Sequence, residues 1–140
     1  MLNKQLMEAL KDQLDHEEHE TEVYARKVRE TKHSIAKVLY AKLMRDSMQH
    51  AEVLNSAISY LITNEWGAPQ ASINETPEEI IRLMAMEEKA LRLFTALLDD
   101  VGDPHLKSLL AMLALDEEQH YAMLRYVLEN FVDKKEVAKV

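Results

Sequence analysis

Glutamate, aspartate and histidine recur along this 140-residue chain at spacings that can hold a metal ion, and they do so twice. Glu17-Glu18 returns seventy positions later as Glu87-Glu88, and Asp46 with Gln49-His50 returns as Asp116 with Gln119-His120. Tyr24 returns as Phe94, while Leu39, Ala41, Leu43 and Leu54 return as Leu109, Ala111, Leu113 and Leu124. Carboxylate oxygens with a single imidazole per copy suit iron or manganese better than thiolate-seeking metals.

These residues are in line with apolar ones. Ile80, Met84, Glu87, Leu91, Phe94, Leu98 and Val101 step by three or four, and Glu87 is the only charged member. Leu10, Leu14, Glu17, Thr21, Tyr24 and Val28 repeat the pattern. A carboxylate on a core stripe must be protonated, paired or metal-bound, because an uncompensated buried charge costs several kcal/mol. A second pair of stripes, Leu39, Leu43, Asp46, His50, Val53, Ala57 and Leu109, Leu113, Asp116, His120, Met123, Val127, puts Asp and His at i and i+4 on one helical face. Glu117-Glu118-Gln119-His120 adds an E-x-x-H motif with donors at i and i+3. The expected set is Glu17, Asp46, His50, Glu87, Glu117 and His120, held in a buried metal centre between two copies of a helical hairpin.

Four helices must position this set. Apolar spacing without a breaker predicts helices over about 3–31 and 34–63. Thr76-Pro77-Glu78-Glu79 starts a third with an N-cap, a first-turn proline and a capping-box glutamate. Gly102 is expected to end that helix near Val101 as a C-terminal glycine. Asp103-Pro104 opens a fourth, reaching about Lys134, with a fraying tail from Lys135. Tight turns near 32 and 102 make two hairpins, and every candidate donor falls near the middle of its helix. The link over about 64–76 can span roughly 40 Å at ~3.3 Å per residue. A helix of 25 to 30 residues is about 38–45 Å long. The expected layout is one all-α domain over residues 1–140, a four-helix bundle with one crossover connection that sets helices two and three parallel.

Composition narrows the class. Two Gly and three Pro are few, as long helices require, and the absence of Cys excludes disulfides, thiolate zinc sites and iron–sulfur clusters. A formal charge of −8 with no basic patch argues against nucleic acid as a partner. With no apolar signal core and no membrane-length apolar run, a soluble cytoplasmic protein is expected.

A Glu, an aromatic seven residues on, then E-x-x-H on the next helix, all duplicated, resembles the ferritin-like superfamily, and within it the rubrerythrin and erythrin-type di-iron carboxylate proteins. The resemblance covers about residues 10–131. It implies two metal ions, iron first and manganese as the alternative, surrounded by one Glu from each of two helices and an E-x-x-H from each of the others. Glu17 and Glu87 match the single glutamates, Glu117 and His120 match one E-x-x-H, and His50 matches the histidine of the other. Tyr24 and Phe94 match the aromatic position beside the metals. The chain departs from the pattern at Ser47, where the second E-x-x-H glutamate would stand. Asp46 and Asp116 are then either ligands reaching from i+4 or acceptors that orient the imidazoles.

The resemblance implies an oxidoreductase acting on peroxide or oxygen. Without the cysteines of a rubredoxin domain it would need an external electron donor. A ferroxidase that handles iron is a close variant, and a helical interaction bundle with a degenerate metal site is the alternative from another class. His16, His19, His33 and His105 read as surface residues, Glu18 and Glu88 as flanking the stripe, and Met84 and Met123 as packing. Trp66 is a candidate for plugging the bundle end or joining a subunit contact. The third helix is apolar over more than one stripe, which points to a homodimer through helices three and four.

Overall fold

The computed structural model describes residues 2–64 and 76–132. Its helices are α1 (Leu2–Glu30), α2 (Ser34–Thr63), α3 (Pro77–Asp100) and α4 (Pro104–Asn130), and no strand occurs among the described residues. The chain divides into two compact units, Met1–Gln70 and Ala71–Val140. Helix α1 packs on α2 in the first and α3 on α4 in the second, so each unit is a helical hairpin. The all-helical, two-hairpin architecture is the one expected. Trp66, most of the expected crossover segment and the expected tail lie outside the described residues.

Local chemistry accounts for where the helices begin. Thr76 forms a complete capping box: its hydroxyl accepts from the Glu79 N–H at 3.3 Å, and the Glu79 carboxylate accepts from the Thr76 N–H at 2.6 Å. Pro77 follows in the first turn, where its missing N–H leaves nothing unsatisfied. At α4 the Asp103 carboxylate accepts from the Leu106 N–H at 2.7 Å, ahead of Pro104. The start of α2 is capped by a histidine, His33 Nδ1 accepting from the Ala36 N–H at 3.3 Å.

One helix end differs from the expectation. Gly102 does not take a left-handed C-terminal position. Val101 ends α3 in extended backbone (φ −91°, ψ 123°), its N–H still bonded to the Leu97 carbonyl. Asp103 must cap α4 immediately afterwards, which leaves three residues for the reversal, and an extended exit makes the turn in that space. The left-handed cap belongs instead to Asn64 after α2 (φ 58°), a residue type that tolerates that region.

Each hairpin fastens its helices with few fully enclosed side chains. Ile58 in the first and Ile80 in the second are the buried hydrophobes among the described residues. Enclosing a side chain of this size stabilises by about 1.5–3 kcal/mol. Ile80 sits one turn into α3 beside the buried Pro77, so the capped end of that helix is also its best-packed end. In the first hairpin Tyr24 stacks on Tyr40 with ring centroids 6.4 Å apart, and the Lys27 ammonium lies 6.0 Å from the Tyr40 centroid. Two polar residues share this burial, Glu17 and Ser47, and both belong to the candidate site.

Candidate metal centre

In the first hairpin Glu17 comes from the middle of α1 and His50 from the middle of α2. His50 Nδ1 lies 3.3 Å from Glu17 Oε1, across 33 residues of sequence. The same Glu17 oxygen accepts from the Gln13 side chain at 3.1 Å, one turn earlier on α1. Burial pushes the Glu17 carboxyl up. Hydrogen bonds from Gln13 and His50, with the charge of His50, more than offset this and hold it below its ordinary value.

The second hairpin repeats the pairing. His120 Nδ1 lies 3.4 Å from Glu87 Oε2, again over 33 residues, and 3.7 Å from Glu117 Oε2 one turn away on its own helix. Donor atoms of Glu87, Glu117 and His120 all lie within 4.8 Å of one another. Ligands of one divalent ion, each at about 2.1 Å, can be up to roughly 4.2 Å apart, so a small contraction would close this group on a metal. A shared hydrogen bond with Glu87, then burial, then the Glu87 charge raise the Glu117 carboxyl above its ordinary value. Beside them an open pocket of about 260 Å³ is lined by Leu83, Glu87, His120, Met123 and Leu124.

Whether these residues fit a metal is tested by their unpaired atoms. Among the described residues, the buried side-chain polar atoms without a hydrogen-bond partner are Glu17 Oε2 and Glu117 Oε2. Buried carboxylate oxygens are normally satisfied, and an orphan calls for a water or an ion. One orphan falls in each hairpin, beside the histidine of that hairpin. The donor chemistry, hard oxygens with an imidazole, fits a divalent iron or manganese ion.

The remaining expected donor is placed differently. Asp46 is engaged by Lys42 one turn back on α2, with N···O distances of 3.3 and 3.4 Å to its two oxygens. Ser47 is buried at 5% exposure, and its hydroxyl donates to Glu20 Oε2 at 3.4 Å. Glu20 Oε1 in turn lies 3.2 Å from His16 Nε2. The sequence stripes pass over Glu20. The signal that could have found it is a failure of the repeat, since Ala90 stands at its counterpart position. His33 and His105 are exposed, and Glu88 is exposed and paired with Arg92 at 2.6 Å.

No helix among the described residues is long and apolar enough to cross a membrane. No curated protein and no solved structure matches the chain. The family model of rubrerythrin does match, over residues 8–128, which takes in α2, α3 and every donor named above. The chain therefore belongs to the rubrerythrin family of the ferritin-like superfamily.

Proposed function

We propose that this protein binds two metal ions, iron or manganese, and works as an oxidoreductase on peroxide or oxygen. The observation that carries the reading is the pair of buried, unpartnered oxygens, Glu17 Oε2 and Glu117 Oε2, one beside each histidine. Family membership supports it, since ferritin-like carboxylate proteins surround two metals with glutamates and E-x-x-H histidines.

Glu17 with His50 would hold one ion, and Glu87, Glu117 and His120 the other. When bound, such a metal pair supplies the electron transfer by which peroxide or oxygen is reduced. The chain's own residues prepare the ground for it. The imidazoles of His50 and His120 each already face a carboxylate, so little ordering is left for the binding step. A cation there favours the ionised Glu117 carboxylate, against the direction in which Glu87 and burial push it, so metal uptake should strengthen as pH rises. Leu83, Met123 and Leu124 give the approach to Glu87 and His120 an apolar wall, which admits a small neutral oxidant and discourages bulk water.

Reducing equivalents would come from a donor outside these 140 residues, which contain no cysteine to hold a thiolate-bound iron. A second copy of the chain is the proposed partner for α3, whose Ile81, Met86, Leu93 and Leu97 are exposed. Sedimentation at micromolar concentration tests that pairing, and a monomer there rejects it.

Anaerobic titration with ferrous iron, followed by separate exposure to oxygen and to peroxide, tests the function. Two ions per chain and multiple turnovers with peroxide or oxygen and an added reductant support it. One-time oxidation of the added iron without turnover makes the protein a ferroxidase. Failure to bind iron or manganese sinks the reading.

A further inference from the structure

We propose that Glu20 is a metal-ligating carboxylate of the α1–α2 hairpin, standing in for the glutamate that Ser47 lacks, and that it takes a hard divalent cation such as ferrous iron or manganese. The inference rests on the dinuclear reading above and supplies one ligand to it.

The repeat carries the first half of the reasoning. Where the second hairpin has Glu117, the first has Ser47, and where the first has Glu20, the second has Ala90. One carboxylate is present in each hairpin, but it has moved from the even helix to the odd one. Its surroundings changed with it, because His16 stands opposite Met86 and Gln13 opposite Leu83. The departure at Ser47 is accompanied by departures at Gln13, His16 and Glu20 on α1.

Geometry carries the second half. Glu20 follows Glu17 by three residues, so both project from one face of α1. The Ser47 hydroxyl donates to Glu20 Oε2 at 3.4 Å, so the carboxylate lies just beyond the tip of the serine. A longer acidic side chain at 47 would have to reach through that same space. Ser47 is 5% exposed and Glu17 is 8% exposed, so the half-buried Glu20 carboxylate lies at the edge of an enclosed patch. The independent sign of a missing ligand is Glu17 Oε2, one turn earlier on the same helix, buried and without a partner. With Glu20 counted, the first hairpin offers Glu17, Glu20 and His50, the same two carboxylates and one imidazole that Glu87, Glu117 and His120 offer in the second.

The first set is less tightly gathered than the second, which alone among the described residues brings three donors within 4.8 Å. His16 accounts for the difference, holding Glu20 Oε1 toward solvent at 3.2 Å while Oε2 stays against Ser47. A glutamate has enough rotatable bonds to swing its carboxylate inward, and a cation gives it the reason to do so. An exposed His–Glu pair at i and i+4 is worth little, so His16 can be outcompeted.

The test uses the full chain, metal-depleted and titrated anaerobically with ferrous iron, with bound metal read by equilibrium dialysis and elemental analysis. Wild type is expected to take two ions. Glu20→Ala and the isosteric Glu20→Gln should keep one at the wild-type affinity and bind the second at least about tenfold more weakly. Ser47→Glu in the Glu20→Ala background should restore the second ion, because the new carboxylate fills the space the old one left. Circular dichroism of the metal-depleted variants confirms that the helices are intact. If the Glu20 variants bind two ions as tightly as wild type, Glu20 is not a ligand and the dinuclear reading stands. A loss that Ser47→Glu does not repair overturns the exchange of one carboxylate for the other. A wild type that takes up no metal overturns both.

Discussion

Glu117 on α4 and Glu87 on α3 converge beside His120, their donor atoms all within 4.8 Å of one another, and the nearness of Glu87 together with burial raises the Glu117 carboxyl above its ordinary value of 4.5. A carboxyl raised by folding contributes stability that is complete below the unfolded value and disappears as pH rises through the native one. Metal-depleted protein should thus lose stability as pH rises from about 4.5 toward neutrality. Glu117→Gln keeps an uncharged partner for Glu87 and removes the repulsion. It should raise the melting temperature of metal-depleted protein at pH 7 by about 2–6 °C and flatten its dependence on pH. The same variant should lose metal, so thermal melts with and without manganese will move in opposite directions from wild type. A variant that melts below wild type in both conditions contradicts the raising of the Glu117 carboxyl by Glu87.

Glu17 has the opposite sign. Its carboxyl is held below the ordinary value of 4.5, so the stability it contributes is present above that pH and is lost as acid carries the pH down through the depressed value. Glu17→Ala leaves His50 without its carboxylate partner and removes a buried side chain. Metal-depleted Glu17→Ala should be less stable by about 1–3 kcal/mol at pH 7. Acid unfolding followed by circular dichroism should show a shallower transition in the variant, and an unchanged acid transition would refute the assignment.

Metal should stabilise the folded chain by mass action, by about 2.7 kcal/mol when free metal is a hundred times its dissociation constant. His50→Ala and His120→Ala should each remove one ion and part of that stabilisation. Differential scanning calorimetry in rising manganese gives the comparison. Either histidine variant retaining the full wild-type shift would show that its imidazole is not a ligand.

Thr76→Ala separates fold from site. It removes one side of the capping box and should cost about 1 kcal/mol of stability. Metal stoichiometry should be unchanged, because Thr76 stands at the start of α3, three turns from Glu87. Metal lost in Thr76→Ala would mean that the site depends on the end of the helix as well as on its middle.

How far the sequence anticipated the molecule depends on how local the signal was. Thr76 with Glu79, and Asp103 ahead of Pro104, make hydrogen bonds to residues three places on, so reading the residues amounts to reading the contact. Gly102 was misread because a glycine after a helix has two uses, and the short turn to Asp103 selected extended backbone over a left-handed cap. Glu17, His50, Glu87 and His120 were legible because the repeat states each pairing twice. Asp46 looked like a partner for His50 by spacing alone, but Lys42 sits at the same interval on its other side and engages it. Glu20 was hidden for a related reason. Its link to Ser47 joins residues 27 positions apart, and no second copy of that pair exists to announce it.

The turns that close the hairpins are three residues each, between Glu30 and Ser34 and between Asp100 and Pro104. A short turn brings neighbouring helices together from the turn outward, so contacts of small sequence separation form first and quickly. Glu17 meets His50, and Glu87 meets His120, only at a separation of 33 residues, well up each hairpin. The donors should therefore be among the later contacts to assemble. An ion bound there has little to hold in the transition state and much to hold in the native chain. Metal should leave the refolding rate nearly unchanged and slow unfolding, which stopped-flow measurements with and without manganese would resolve. The short turns thus make the ion a latch that sets how long the folded chain lasts, and leave the speed of folding to the polypeptide.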